Sequence, residues 1–193
     1  MNANVGMRYP VYAPVSAYTA GTGITYGTGA VAAEAVSASL NWERADGTFY
    51  GDDAVLDVDN GVLGYTIDFE PTGLSDAARA ALLGETVSSS EYTVTGAASP
   101  DVGFGYVRVM RAPVSSVIGD SYEAWWFFKV KFGISSEETR TKERSVEWRV
   151  PTLQGIGAGV SLDSSGALSY AVHKTFSSFS AAQAWLKTKA GIS

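Results

Sequence analysis

Apolar and polar residues alternate with a period of two along much of this chain. The segments AVSASLNWE (35–43) and LGYTIDFE (63–70) both place apolar side chains at every second position. This alternation is typical of half-buried antiparallel strands, in which one face is covered and the other meets solvent. A shift of one residue would bury the polar face, so the register is well specified. The polar positions are Ser37, Ser39, Asn41, Thr66, Asp68 and Glu70.

Further strands are predicted along the rest of the chain. The segments EYTVTG (91–96), GFGYVRVMRA (103–112) and ERSVEWRVP (143–151) are rich in residues that favour strands. YEAWWFFKVKFG (122–133) is apolar on both faces, which indicates a central strand. LQGIGAGVSLD and ALSYAVHKT add strands to the C-terminal half.

Two short helices interrupt the strands. Ser75 is a suitable N-cap, Gly84 is a suitable C-terminal stop, and the alanines and leucines between them predict a helix over 76–83. A second helix is predicted over 179–190, with Lys187 and Lys189 near its C-terminus, where cations are favoured.

These elements predict a single domain over 1–193, mainly antiparallel β, packed as a sandwich or partly open barrel with one or two short helices. Residues 1–23 contain Pro10, Pro14 and several glycines. Because proline and glycine disfavour regular structure, we expect this segment to be an extended arm. Such an arm needs a surface on which to lie.

The connection over 44–62 is far longer than the usual hairpin loop of about two to five residues. It contains YGDDAVLDVDNGVLG (50–64), with four aspartates at Asp52, Asp53, Asp57 and Asp59. The spacing of these aspartates and of Gly61 does not match a calcium-binding EF-hand loop. We therefore expect a long charged loop that stays soluble until it meets a partner.

Composition argues against most catalytic chemistry. The chain has no cysteine and one histidine, His173, within an alternating strand pattern, so neither a thiolate nor a structural zinc site is expected. TAGTGITYGTG (19–29) lacks the Lys-Ser/Thr of a phosphate-binding loop. We expect no catalytic residues, no cofactor and no metal, hence not an enzyme. No targeting segment or apolar run long enough to span a membrane is visible, which predicts a soluble protein with no membrane partner.

Charge is unevenly distributed. Residues 1–101 contain 13 acidic and 3 basic residues, whereas residues 102–193 contain 7 acidic and 11 basic residues. Opposite net charge in the two halves favours contacts between copies of the same chain.

Several stretches in order resemble the major tail protein of long-tailed (siphovirus-type) bacteriophages. They are RYPVYAPV, ITYGTG, SASLNWER and YGDDAVLDVDNGVLGYTIDFEPTGLSDAARAALLG, and the aromatic segment YEAWWFFKVKF fits the same pattern. The resemblance is strongest over the first half of the chain. None of these stretches is a catalytic motif.

The resemblance implies a virion protein that self-assembles into stacked hexameric rings, the tail tube through which DNA is ejected. Each subunit is then a β-sandwich flanked by a helix, whose inner sheet joins those of its neighbours around a channel. Its partners would be itself, the tape measure, tail terminator and distal tail proteins, with DNA only as passing cargo. Its location would be the phage tail, and the host cytoplasm before assembly.

The resemblance also suggests roles for the polar residues. The six polar strand positions become candidates for the channel lining, and the four aspartates become candidates for contacts between rings. Their basic partners would be Arg140, Lys142 and Arg144 of the adjacent ring.

Two alternatives remain open from the sequence. One is another ring component of the same fold, such as a tail terminator or the ring protein of a secretion tube. The other is a carbohydrate-binding β-sandwich, which would display exposed coplanar tryptophans.

Overall fold

The structure is a computed structural model that describes residues 3–51, 54–89, 91–111, 120–136 and 150–193. Within these residues the chain is mainly β, with antiparallel pairs and two short helices, which confirms the predicted fold class. The strands are β1 (Ala3–Thr19), β2 (Gly23–Tyr26), β3 (Ala30–Val31), β4 (Ala35–Arg44), β5 (Gly47–Gly51), β6 (Ala54–Asp59), β7 (Val62–Pro71), β8 (Thr86–Ser88), β9 (Glu91–Thr93), β10 (Val102–Arg111), β11 (Asp120–Ser136), β12 (Thr152–Gly157), β13 (Val160–Ser161), β14 (Leu168–Ser169) and β15 (Ala171–Phe176). The helices are α1 (Asp76–Leu83) and α2 (Phe179–Ala190).

Among the described residues, the main sheet has nine strands in the order β2-β1-β10-β11-β12-β7-β4, with β15 added to β11 and β3 added to β1. Three smaller pairs, β5–β6, β8–β9 and β13–β14, lie outside it. The 17-residue β11 pairs along one edge with β10. Along its other edge it pairs first with β15 and then with β12. It is therefore the central strand that its aromatic sequence predicts.

Neighbouring residues of β10 and β11 contribute to two hydrophobic cores on opposite faces of the sheet. Phe104 pairs with Phe127, and both lie in the first core, which α1 helps to close. Gly105 pairs with Trp126, whose indole lies in the second core. Helix α2 covers this second core with three fully buried side chains, Ala182, Leu186 and Ala190. Because both faces are covered, this part of the sheet is apolar on both sides.

The sheet curls around the first core. Strands β1 and β4 are well separated in the strand order, yet they contact each other. The same core contains Tyr12 of β1, and Leu40 and Trp42 of β4 pack against it. The result is a partly open barrel, with α2 outside it on the second core.

Both helices begin and end at the predicted residues. The hydroxyl of Ser75 accepts a hydrogen bond from the Ala78 amide at 3.2 Å, and Gly84 ends α1 in the left-handed conformation with φ of 70°. Ser178 caps α2 through the Ala181 amide at 3.3 Å. These side chains satisfy amides that have no partner inside the helix.

The N-terminal segment differs from the predicted arm. Ala3–Thr19 forms β1, which pairs with β10 and contributes the fully buried Val11 and Ala13. Pro10 lies in a register shift between Arg8 and Val11, and its carbonyl still accepts the Ala32 amide at 2.9 Å. A bulge accommodates proline because no ladder donor is required there. The strand therefore tolerates the residues that suggested an arm.

The segment 44–62 also differs from the predicted open loop. Strands β5 and β6 pair with each other, for example Gly47 with Asp59, and so form a hairpin. This hairpin continues the β4–β7 pair, because Arg44 pairs with Val62 and the Ala45 amide donates to the Gly61 carbonyl at 2.7 Å. We call β5 and β6 the ribbon.

Candidate functional site

The six predicted channel residues lie together on one face of the β4–β7 pair. The register places Ser37 opposite Glu70, Ser39 opposite Asp68, and Asn41 opposite Thr66. The Ser37 hydroxyl donates to the Glu70 carboxylate at 2.7 Å. The sequence placed these residues on one face of each strand, and the register joins the two faces into one polar surface.

This polar surface extends across β12 and the end of β11. Gln154 is the cross-strand neighbour of both Asp68 and Gly133, and its side-chain amide donates to Asp68 at 3.2 Å. One step along, Ile156 lies between Thr66 and Lys131. We call this four-stranded surface the polar face. Gln154 and Lys131 were not predicted to lie on this face, although the alternation in LQGIG is the signal that could have identified Gln154.

The opposite side of the same four strands is apolar and fixes the direction of the polar face. Tyr65, Ile67 and Phe69 of β7 are fully buried in the first core. The hydroxyl of Tyr65 donates to the Lys129 carbonyl at 3.1 Å, and burial raises the pKa of this phenol well above its usual range. Because these three side chains point into the core, the polar residues that alternate with them along β7 must point outward.

The four strands have two open edges in the part of the chain that the structure describes. Strand β4 pairs there with β7 and has no partner on its other side. At the other end, the β10 register stops at Val130, so 131–136 of β11 pairs with β12 alone. An unpaired strand edge carries amide and carbonyl groups that can accept another strand.

Strand β4 is also incompletely covered on its core side. Val36 is 56 % exposed, whereas Leu40 and Trp42 further along are half-buried. An exposed apolar side chain next to an open edge favours association with another polypeptide.

The structure places only part of the predicted contact residues. Asp59 is exposed at the base of the ribbon, where its carboxylate accepts the Gly61 amide at 3.0 Å. Asp57 lies in β6 opposite Phe49. Asp52 and Asp53 lie outside the described residues, as do all three predicted basic partners, Arg140, Lys142 and Arg144.

One polar cluster was not predicted. Nδ1 of His173 in β15 lies 2.9 Å from a carboxylate oxygen of Glu123, and the imidazole ring stacks on Trp125 with centroids 4.4 Å apart. Arg108 lies across Glu123 at 3.6 Å and over the Trp125 ring. These residues come from β10, β11 and β15, so only the strand order brings them together. The cluster joins three strands.

No group of three or more histidine, aspartate or glutamate side chains in the described residues is placed to hold a metal ion. Neither α1 nor α2 has the length and apolar character that crossing a membrane requires, and no other helix is present in the described ranges.

No protein-family model matches the chain, and a search of curated proteins finds no match.

Proposed function

We propose that this chain is a structural protein, not an enzyme, that self-assembles into stacked hexameric rings forming the tail tube of a long-tailed phage. The observation that carries the proposal is the polar face, which among the described residues is bounded on both sides by open strand edges. That the copies form rings and that the rings stack into a tube is inferred from the resemblance of the sequence to major tail proteins. The proposed location is therefore the virion tail, after assembly in the host cytoplasm.

The open edges suit pairing between copies. If β4 of one copy pairs with 131–136 of the next, the contact is head-to-tail and uses different surfaces on the two partners. Such a contact closes into a ring when the rotation that relates one copy to the next is a whole-number fraction of a full turn. Ring closure would also remove the exposed edges that make a single copy prone to unspecific association.

The chemistry of the polar face suits a channel for DNA. It carries Asp68, Glu70 and Glu43 beside small hydroxyl and amide side chains, and Lys131 is the basic residue at its far side. Binding of proteins to DNA depends on basic groups that replace phosphate counterions. A surface whose charged groups are mostly carboxylates lets a duplex pass without adhering. Tape measure, tail terminator and distal tail proteins are the further partners that this role requires.

Electron microscopy of the purified protein over a concentration series tests the proposal. We expect hollow tubes, or rings with sixfold symmetry. Rings that do not stack would favour a terminator over a tube protein. Monomers that persist with an added tail-tip initiator complex would contradict the proposal.

A single-cysteine experiment tests which face lines the channel. The chain contains no cysteine, so Asn41→Cys introduces one thiol on the polar face. We expect a bulky thiol reagent to label this variant when it is dispersed and not when it is assembled. Equal labelling in both states would show that the polar face is outside the tube.

No observation favours a carbohydrate-binding module. The four tryptophans in the described ranges, Trp42, Trp125, Trp126 and Trp185, are buried or half-buried and pack against residues of this chain. They do not form the exposed platform that stacks on sugar rings.

A further inference from the structure

The junction between the ribbon and β7 contains an asparagine followed by a glycine. Asn60 and Gly61 lie between the end of β6 and the start of β7, and both are exposed. Glycine has no Cβ, so the backbone nitrogen of Gly61 is open to approach by the Asn60 side chain. This dipeptide is the sequence with the least steric hindrance to intramolecular attack on the asparagine side chain.

The peptide bond between these two residues is contacted at both ends by charged side chains. The Asp59 carboxylate accepts the Gly61 N–H at 3.0 Å. The Arg44 guanidinium donates to the Asn60 carbonyl oxygen at 3.3 Å. One contact is positioned to take the proton from nitrogen, and the other stabilises the negative charge that then develops on oxygen.

We propose that Asn60–Gly61 is a self-modification site, at which Asp59 and Arg44 promote conversion of Asn60 to aspartate or isoaspartate. Asp59 removes the proton from the Gly61 nitrogen, which attacks the side-chain carbonyl carbon of Asn60. A new C–N bond forms, the bond to the side-chain nitrogen breaks, and ammonia leaves with the proton that Asp59 returns. Water then opens the cyclic imide at either carbonyl.

The product differs from the starting chain in charge and in length. Either opening adds a carboxylate beside Asp59, at the base of the ribbon. The isoaspartate product also inserts one methylene into the backbone between β6 and β7. Because β4 and β7 hold the base of the ribbon through the Arg44–Val62 pair, this insertion changes the direction of the ribbon relative to the sheet.

The rate of modification in the folded protein is the direct test. The intact protein is aged at neutral pH, in buffer and in denaturing urea, and peptide mapping by mass spectrometry follows position 60. Since one positioned base and one cation assist only in the folded state, we expect modification about tenfold faster in the native chain. Asn41, which precedes Trp42, is the internal control and should remain unmodified.

Two variants separate assistance from mere exposure. Asp59→Ala and Arg44→Gln should each reduce the native rate several-fold towards the rate in urea, and Asn60→Gln should abolish the reaction. A native rate equal to or below the rate in urea would overturn the proposal. So would a fast native rate that neither Asp59→Ala nor Arg44→Gln reduces. The proposal does not depend on tube formation, since the protein is tested as purified.

Discussion

Gly157 of β12 lies against the ring of Tyr65, where a methyl group has no room. A Cβ at this position would overlap Tyr65 ring atoms, and the Tyr65 ring is fully buried and hydrogen-bonded. We therefore expect Gly157→Ala to lower the free energy of unfolding by about 1–3 kcal/mol, as overpacking of a core does. Urea denaturation monitored by tryptophan fluorescence measures the change.

Gly133→Ala is the matched control, in the strand next to β12. A Cβ at Gly133 has no atom within 4 Å, so we expect a change within about 0.5 kcal/mol. Equal losses in the two variants would show that backbone freedom, not the Tyr65 contact, requires glycine at 157.

Tyr26 connects β2 to β11 through a half-buried phenol. Its hydroxyl donates to the Phe128 carbonyl at 2.8 Å and accepts from the Trp126 indole at 3.4 Å. Burial raises the pKa of Tyr26 from 10.0 to about 12. The folded state thus holds the proton more tightly than the unfolded state, so this contribution to stability is complete below pH 10.0 and is lost as the pH rises towards 12.

Tyr26→Phe should expose this dependence. At neutral pH the variant loses both hydrogen bonds of the hydroxyl and should be less stable by about 1–3 kcal/mol. As the pH rises above 10.0 the wild-type chain loses stability by ionisation and the difference should shrink. Urea denaturation at a series of alkaline pH values measures it, and a constant difference would contradict the assigned cause.

Single residues could be predicted where the signal is local. The six polar positions of β4 and β7 follow from alternation alone, because successive side chains of a strand point to opposite faces. The requirement for glycine at 157 could not be predicted, since it depends on pairing with Tyr65 of a strand far away in sequence. The Glu123–His173 contact could not be predicted either, because it depends on the pairing of β11 with β15.

At the scale of elements, an ion pair, a cation–π contact and a hydrogen bond connect α1 to the β8–β9 hairpin and to the residue that precedes it. The Arg79 guanidinium donates to Glu85 at 2.6 Å, and only 3 % of the Glu85 side chain is exposed. Arg79 also lies over the ring of Tyr92, whose hydroxyl donates to Asp76 at 2.6 Å. These contacts fix the hairpin on the helix.

Arg79→Met should leave the Glu85 carboxylate buried without its bidentate partner. Loss of one member of a buried pair costs about 3–5 kcal/mol. We expect a smaller loss, about 2 kcal/mol, because the Arg79 side chain is 31 % exposed and the pair is partly screened. Adding Glu85→Gln should restore part of the stability in chemical denaturation. A double variant no more stable than Arg79→Met would show that the packing of Arg79, not its charge, is what matters.

Elements were predictable where end signals or alternation are strong. The helix over 76–83 follows from Ser75 and Gly84, and the lysines near the end of 179–190 suit a helix C-terminus. The first strand was predicted as an arm because Pro10 and the glycines outweighed the apolar Val11 and Ala13. Only pairing with β10 and a bulge at Pro10 reveal the strand. The ribbon was not predicted because its aspartates suggested a loop. The register nevertheless pairs β-branched positions of its two strands, such as Thr48 with Val58.

At the scale of the whole molecule, the open edge of β4 should control assembly. Val36→Lys places a charge beside that edge, and lysine on an edge strand opposes strand addition. We expect the variant to fold and to remain monomeric at concentrations at which the wild-type chain forms rings or tubes. Sedimentation velocity and electron microscopy measure the outcome.

Val94→Lys is the control for added charge. Val94 is 77 % exposed and follows β9, which does not belong to the main sheet. It should assemble as the wild-type chain does. If both variants assembled normally, the β4 edge would not be the contact between copies.

The order of strands in the main sheet has a consequence for how the protein is made. Strand β1 pairs with β10, and β7 pairs with β12. During synthesis the first strands leave the ribosome long before their partners exist. Chains dominated by such distant contacts fold slowly and expose unpaired strands while they wait. Folding of this chain is therefore a late event, completed only when most of its length has been released.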